Sequence, residues 1–264
     1  MESALDNIKP IHAGTSPQAS RTASADRFAW ISSHPAPARI PEEVINRFAQ
    51  LEDLSSTVSD ILDELGLVGA AGTSILKPTL PQHRVIGTAI TVRNVEQRRD
   101  AFANVSDRSW KMAEILALQE ALPGDVLLIE GVTGVSNMGG LISTIAKRQG
   151  VAGAVVDGGV RDVGHSRRID FPVWSRDISP ITGKWRCITQ EINGVATIAG
   201  VTATAGDLVI ADETGFCVVP REHIDTVLRR CEEVGRWENL IDANIADGAP
   251  VGAIIDSLYG DKTS

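Results

Sequence analysis

A chain of 264 residues with 43% hydrophobic and 22% charged residues is long enough to bury a core without disulfide or metal staples. Its 25 Lys+Arg against 34 Asp+Glu give a net charge of −9, which argues against a general nucleic-acid binder, because phosphate contacts need a basic face. Twenty-four glycines beside only 4% aromatics mean that the core rests on Val, Ile, Leu and Ala and that the backbone turns often.

Residues 1–40, rich in Ser, Ala and Pro without a hydrophobic period, read as a flexible N-terminal arm. The segment PEEVINRFAQL predicts a helix with Pro41 in its first turn and Val44, Phe48 and Leu51 on one face. LSSTVSDILDELG predicts a second helix, capped by Ser55 or Ser56 and stopped by Gly66. RVIGTAITVR alternates like a strand, and the polar stretch EQRRDAFANVSDRSW follows it. Ser109 to Leu122 reads as a helix that turns at Pro123-Gly124-Asp125 into the apolar strand VLLIEG. The loop VTGVSNMGG opens a short helix ending in Lys-Arg-Gln-Gly, and AGAVVDGGV and FPVWSR read as further strands around the short helical or loop segment RDVGHSRRID. Short β segments fill Lys184 to Val219, and a helix returns at PREHIDTVLRRCEEVGRW. The expected architecture is one α/β domain with a mixed sheet over residues 41–238, with a C-terminal helix and a tail at 239–264.

The run from Pro123 to Asp162 carries the chemistry. Gly139 and Gly140 stand where a helix begins, so unpaired amides and the helix dipole face the loop, a place that suits a carboxylate or phosphate. No Gly-Lys-Ser/Thr follows and GxGxxG is not matched in register, so neither a P-loop nor a dinucleotide fingerprint is present. Arg161 and Asp162 follow the strand AVVD through a Gly-Gly turn, at the strand end where open α/β sheets collect ligands. Such a pair is either a surface ion pair or a holder of an oxyanion and a metal. Asp157 and Glu130 end neighbouring strands, with solvated strand-end acids as the plainer reading. Cys187, Cys217 and Cys231 show no CxxC spacing and form no even set, which points to reduced thiols, and Cys217 within the apolar run FCVV reads as buried and inert. No apolar run reaches the ~20 residues of a bilayer span, and no basic segment leads an apolar one at the N-terminus. The expectation is a cytoplasmic protein with a small-molecule ligand and neither membrane nor nucleic-acid partners; the scarcity of aromatics disfavours a stacked base.

GDVLLIEG, GGLISTIAKRQGVAGAVVDGGVRDV and GDLVIADETGFCVVP, in this order, resemble the RraA-like family, with support from STVSDILDELG and VIGTAITVR. That family holds ribonuclease-activity regulators and class II pyruvate aldolases for 4-hydroxy-4-methyl-2-oxoglutarate that also decarboxylate oxaloacetate. The resemblance implies an αββα-type sandwich assembled as a homotrimer or homohexamer, with sites between subunits. It implies a divalent metal, Mg²⁺ before Mn²⁺, with Asp162 as its ligand and Arg161 beside it; a hydrated Mg²⁺ needs only one or two carboxylates. It further implies that a short 2-oxo acid is held by backbone amides at Gly139, Gly140, Leu141 and Ile142 together with Arg161, and cleaved by retro-aldol or decarboxylation through a pyruvate enolate. The alternative is a non-catalytic regulator that binds a protein such as a ribonuclease. Two departures stand out. Family aldolases resemble a pattern of Asp, twenty residues, then Arg-Asp, and the place of that first Asp (161 − 21 = 140) is Gly140 here. A second family pattern has Gly there and an acid three residues after the Asp, and that place (162 + 3 = 165) is His165 here, a candidate ligand or base. Asp212 and Glu213 fall in a turn where family acids reach a neighbouring subunit's site.

Overall fold

The computed structural model describes residues 28–259, so most of the expected arm lies outside the described residues. The chain divides after Ser32. In the first unit Phe28 and Trp30 pack edge to face, with ring centroids 5.5 Å apart. In the second, residues 33–40 are held by side-chain bonds. Arg39 donates to the buried carboxylate of Asp125 through Nη2 at 2.7 Å and Nε at 3.0 Å, and to the Glu120 carbonyl at 2.8 Å.

The elements of the second unit follow in order. Helices α1 (Glu42–Ala49) and α2 (Leu54–Glu64) lead into strands β1 (Ala70–Gly72), β2 (Lys77–Pro78) and β3 (Val85–Glu96). Then come α3 (Ala101–Ser106), α4 (Ile115–Gln119), β4 (Val126–Glu130), β5 (Ser136–Met138), α5 (Gly140–Arg148), β6 (Gly153–Val160), α6 (Val163–Arg168) and β7 (Val173–Ile178). The chain closes with β8 (Cys187–Ile192), β9 (Val195–Ile198), β10 (Val201–Thr204), β11 (Leu208–Ala211), β12 (Gly215–Val219), α7 (Ile224–Ala246) and α8 (Val251–Tyr259).

The mixed sheet runs β1-β12-β11-β3-β4-β6-β7-β2, with β8 also on β3 and β5 on β6. Its centre, β3-β4-β6-β7, is parallel, so the carboxyl ends of these strands share one edge. The period-2 alternation of the strands splits the core in two. Leu208, Ile210, Cys217 and Val219 face α1, α2 and α7, where Phe48, Ile61 and Leu228 are fully buried. Val209, Ala211, Phe216 and Val218 face the other way, onto the β9–β10 hairpin with Ala196, Ile198 and Val201.

Several local readings are revised. Pro41 stands at the N-cap of α1, just before its first turn. Helix α2 begins after Asp53, and Ser55 is not its cap; the Ser55 amide and hydroxyl instead bond Asp212, at 3.3 and 2.8 Å, so a distant turn satisfies the helix start. Its end follows the sequence: Gly66, at φ +70°, lets its own amide reach Asp63 and that of Leu67 reach Leu62, both at 2.9 Å, a Schellman ending. The helix expected over Ser109–Leu122 shrinks to Ile115–Gln119, because the Lys111 carbonyl and the Ala113 amide are taken by Thr189 of β8. A helix forms instead within the polar stretch, where Asp100 accepts the amides of Phe102 and Ala103. At the C-terminus α7 runs unbroken through residue 238 to Ala246 and α8 follows, so the expected tail is helical. Among the described residues no helix is long and apolar enough to cross a membrane.

Candidate active site

Strand β5 lies parallel to β6, and the Arg161 amide donates to the Met138 carbonyl at 3.0 Å. This places the start of α5 beside the Arg161-Asp162 corner. Asn137 builds the preceding loop: its Oδ1 accepts the Val132 amide at 3.0 Å, and its Nδ2 donates to the carbonyls of Val132 and Val135 at 2.8 and 3.1 Å. The glycines around it are there for space. A methyl at Gly158 would sit 2.5 Å from Asn137 Nδ2, and one at Gly131 2.8 Å from the same side-chain amide.

Asp162 stands at the N-cap position of α6 at φ +58°, a left-handed conformation in which Asp is tolerated better than bulky residues, and its side chain makes no cap bond to that helix. Its Oδ2 accepts the Gly140 amide at 2.9 Å, tying the end of β6 to the start of α5. The Arg161 guanidinium, half-exposed like the carboxylate, lies 3.7 Å from that same oxygen, too far for a tight ion pair and free to meet a ligand. Gly139 lets them approach, since a methyl there would lie 3.0 Å from both Arg161 Nε and Asp162 Oδ2. With the Gly140 amide used by Asp162, the anion-holding groups of α5 reduce to the amides of Leu141 and Ile142, which have no hydrogen-bond partner among the described residues.

These groups line a cleft of roughly 400 Å³ with Trp110, Glu114, Ile115, Asn137, Thr182 and Lys184. Lys184 Nζ lies over the rings of Trp110 and Trp185, 4.1 and 4.7 Å from their centroids. The structure therefore brings Gly139, Gly140, Leu141, Ile142, Arg161 and Asp162 together. His165 lines a neighbouring depression with Thr144, Gly164 and Arg168, which shares only Gly140, Leu141 and Asp162 with the cleft. Its Nε2 is 2.8 Å from Thr144 Oγ1, and that hydroxyl is also 2.8 Å from the Gly140 carbonyl. A hydroxyl has one proton; when it goes to the carbonyl, Nε2 must donate and Nδ1 is the basic nitrogen.

Glu130 ends β4, but Asp157 lies inside β6, which runs on through Gly158 and Gly159 to Val160 with a register irregularity where a turn was expected, and both acids serve the fold. Glu130 accepts the Thr197 amide at 2.8 Å, and Asp157 accepts the Ala199 amide at 2.7 Å and Arg176 at 2.5 Å, so both clamp the β9–β10 hairpin. Asp212 is taken by Ser55, Thr214 and Gly215. Glu213 lines a different depression, beside His83 and Arg84. Burial pushes the thiols of Cys187, Cys217 and Cys231 up to about 12, so all three are inert at neutral pH.

Sequence reasoning passed over Glu114. It is 8% exposed, and its Oε2 has no hydrogen-bond partner among the described residues. Desolvation raises its carboxyl to about 7, opposed by its own backbone amide and by the charge of Arg161.

The RraA-like family profile, described as Aldolase/RraA, matches residues 55–218, more than half of the chain. The chain belongs to the RraA-like family. A family relative named "Putative 4-hydroxy-4-methyl-2-oxoglutarate aldolase" from Halalkalibacterium halodurans is 30% identical over 192 residues, covering 72% of this chain and 83% of its own length. Protein DlpA of Legionella pneumophila is 29% identical over 199 residues, and the matching part spans 74% of this chain but only 31% of DlpA. Among solved structures, Streptomyces coelicolor RraAS2, described as an unusual member of the RNase ES inhibitor RraA protein family, superposes with a TM-score of 0.67. It shares 27% identity, and the match covers 77% of this chain and 97% of RraAS2. The mixed sheet and its helices are thus the family's architecture.

Proposed function

We propose that this chain is a divalent-metal-dependent lyase that cleaves a C–C bond of a short 2-oxo acid, by retro-aldol cleavage of a 4-hydroxy-2-oxo diacid, by decarboxylation of oxaloacetate, or by both. The observation that carries this reading is the convergence of Arg161, Asp162 and the open Leu141 and Ile142 amides on one cleft. The amides and the α5 dipole hold the substrate carboxylate. Arg161 stands where negative charge develops as the bond breaks, and a donor in that position contributes on the order of 10²–10³ in rate.

The donor set fits a hydrated hard cation. One oxygen of Asp162 is fixed by the Gly140 amide and the carboxylate is half-exposed; with no cluster of three His, Cys, Asp or Glu groups among the described residues, an ion here would take its remaining oxygens from water and substrate. Asp162 would hold such an ion, Mg²⁺ or Mn²⁺, which supplies Lewis-acid polarisation of the 2-oxo group. His165, in the adjoining depression, braces the start of α5 through Thr144. The cleft rim is apolar: Trp110, Ile115 and Leu141 are 50%, 42% and 72% exposed. In this reading a second copy of the chain covers it, as in a homotrimer or homohexamer.

Pyruvate release from oxaloacetate with added Mg²⁺ tests the proposal. Asp162→Asn keeps an acceptor for the Gly140 amide but removes the charge, and is expected to abolish activity. Release that is indifferent to EDTA and to this substitution overturns the metal mechanism.

A second reading is a regulator that binds a ribonuclease through its acidic surface. Gly140 in place of the expected acid and the likeness to RraAS2 favour it. A rise in melting temperature on adding Mg²⁺ with oxalate supports the lyase; no shift with millimolar oxalate supports the regulator.

A further inference from the structure

Glu114 is a buried carboxyl without a structural task. It precedes α4 but makes no side-chain cap bond to that helix, and none of the ion pairs among the described residues includes it. Buried polar groups normally find partners, and one that does not calls for an explanation at the site it faces. Glu114 faces the cleft of Arg161 and Asp162. The charged and titratable groups around it are Arg161 and Asp162 at the end of β6, Lys184 on the turn before β8, and the inert Cys187 thiol on β8. His165, the other base in the vicinity, lines the adjoining depression.

We propose that Glu114, a buried carboxyl on the lining of the cleft that holds Arg161 and Asp162, carries the proton that C–C cleavage moves. This inference rests on the lyase reading. In aldol cleavage the Glu114 carboxylate takes the proton of the substrate's 4-hydroxyl. The C3–C4 bond breaks, C4 becomes a carbonyl, and the bonding pair passes to the C2–C3 enolate. Glu114 then returns the same proton to C3, which gives pyruvate and restores the carboxylate. Nothing else is consumed. In decarboxylation of oxaloacetate CO₂ leaves without a base, so only the second half applies, and the proton given to C3 is replaced from water. A group that alternately accepts and donates works best when its two forms are close in free energy, which burial beside Arg161 provides.

The steps separate in experiment. In D₂O, NMR follows exchange of the pyruvate methyl protons, which needs a base at C3, while decarboxylation of oxaloacetate does not. For Glu114→Gln the expected results are exchange slowed at least ~10²-fold, single-turnover CO₂ release from oxaloacetate, which precedes the step of Glu114, within about tenfold of wild type, and unchanged Mg²⁺-dependent oxalate binding by calorimetry. Wild-type exchange in the variant overturns the proposal, and so does loss of the Mg²⁺ dependence of oxalate binding, which would make Glu114 a ligand. Should Glu114→Gln not fold, the wild-type pH profile decides. Exchange should rise along a limb centred near the Glu114 value of about 7, and a flat profile across that range overturns the assignment. Wild-type protein that neither exchanges pyruvate protons nor cleaves either substrate fails at the lyase reading itself, a result distinct from an active enzyme indifferent to Glu114.

Discussion

Asn137 is uncharged and fully buried, yet the shape of the cleft depends on it, because its amide spans the loop between β4 and β5. Gly158 leaves the room for that amide. In Gly158→Ala the new methyl meets both Asn137 Nδ2 and, at 2.9 Å, the Val132 carbonyl, which is backbone and cannot swing away. The expected cost is about 1–3 kcal/mol, read as a lower urea midpoint with an unchanged slope. Gly139→Ala differs, since its methyl meets side-chain atoms, Arg161 Nε and Asp162 Oδ2 at 3.0 Å each, and its backbone is already extended. Its urea midpoint should stay near wild type while oxalate binding weakens. Glu114 makes a further prediction at this scale. Its folded carboxyl sits near 7 against an ordinary value of 4.5, so between these values the folded state holds more protons than the unfolded one. Stability therefore falls as pH rises through that window, by on the order of 3 kcal/mol in full. Glu114→Gln should be more stable than wild type above pH ~7 and lose that advantage below pH ~4.5, and parallel unfolding curves for the two proteins at every pH would contradict this.

Arg39 connects the segment before α1 to the turn before β4, and its partner Asp125 is almost fully buried. Arg39→Ala leaves that carboxylate with only the Leu122 amide, at 2.8 Å. Breaking a buried pair from one side costs about 3–5 kcal/mol, with the retained amide placing this case at the low end. A urea midpoint within error of wild type would show that the segment is not anchored there. Elements such as this one mark what a sequence conveys and what it does not. The Schellman ending at Gly66, the strand at β3 and the Gly-Gly-helix opening of α5 are local patterns that the structure repeats, although β3 is buried on both faces through its middle and not on alternate residues. The helix expected over Ser109–Leu122 failed because Lys111 and Ala113 bond Thr189, a partner far along the chain. The same pairing precedes the turn that buries Glu114, so a glutamate inside the expected helix becomes a buried carboxyl with one oxygen unpartnered. Glu130 was legible as a strand-end acid and Asp157, expected to be one, sits inside β6 because the strand continues through Gly158 and Gly159; the hairpin both acids hold is made by residues some 40 to 67 positions away.

At the scale of the whole molecule, two features of the surface pull against each other. The rim of the cleft is apolar, with Trp110, Ile115 and Leu141 exposed around it, while the chain as a whole carries −9. If copies of the chain cover the rim, association gains from apolar burial and loses to repulsion between like-charged subunits. Salt screens the repulsion, with a Debye length of about 10 Å at 0.1 M, and leaves the apolar gain in place. Raising ionic strength should therefore shift sedimentation toward the larger species, the reverse of an assembly held by salt bridges. Ile115→Glu puts a charge into the rim and should shift the distribution toward monomer at every salt concentration. Wild-type protein that sediments as a monomer throughout, or an Ile115→Glu variant that assembles as wild type does, would remove the rim as an interface and leave the cleft open to solvent in the working protein.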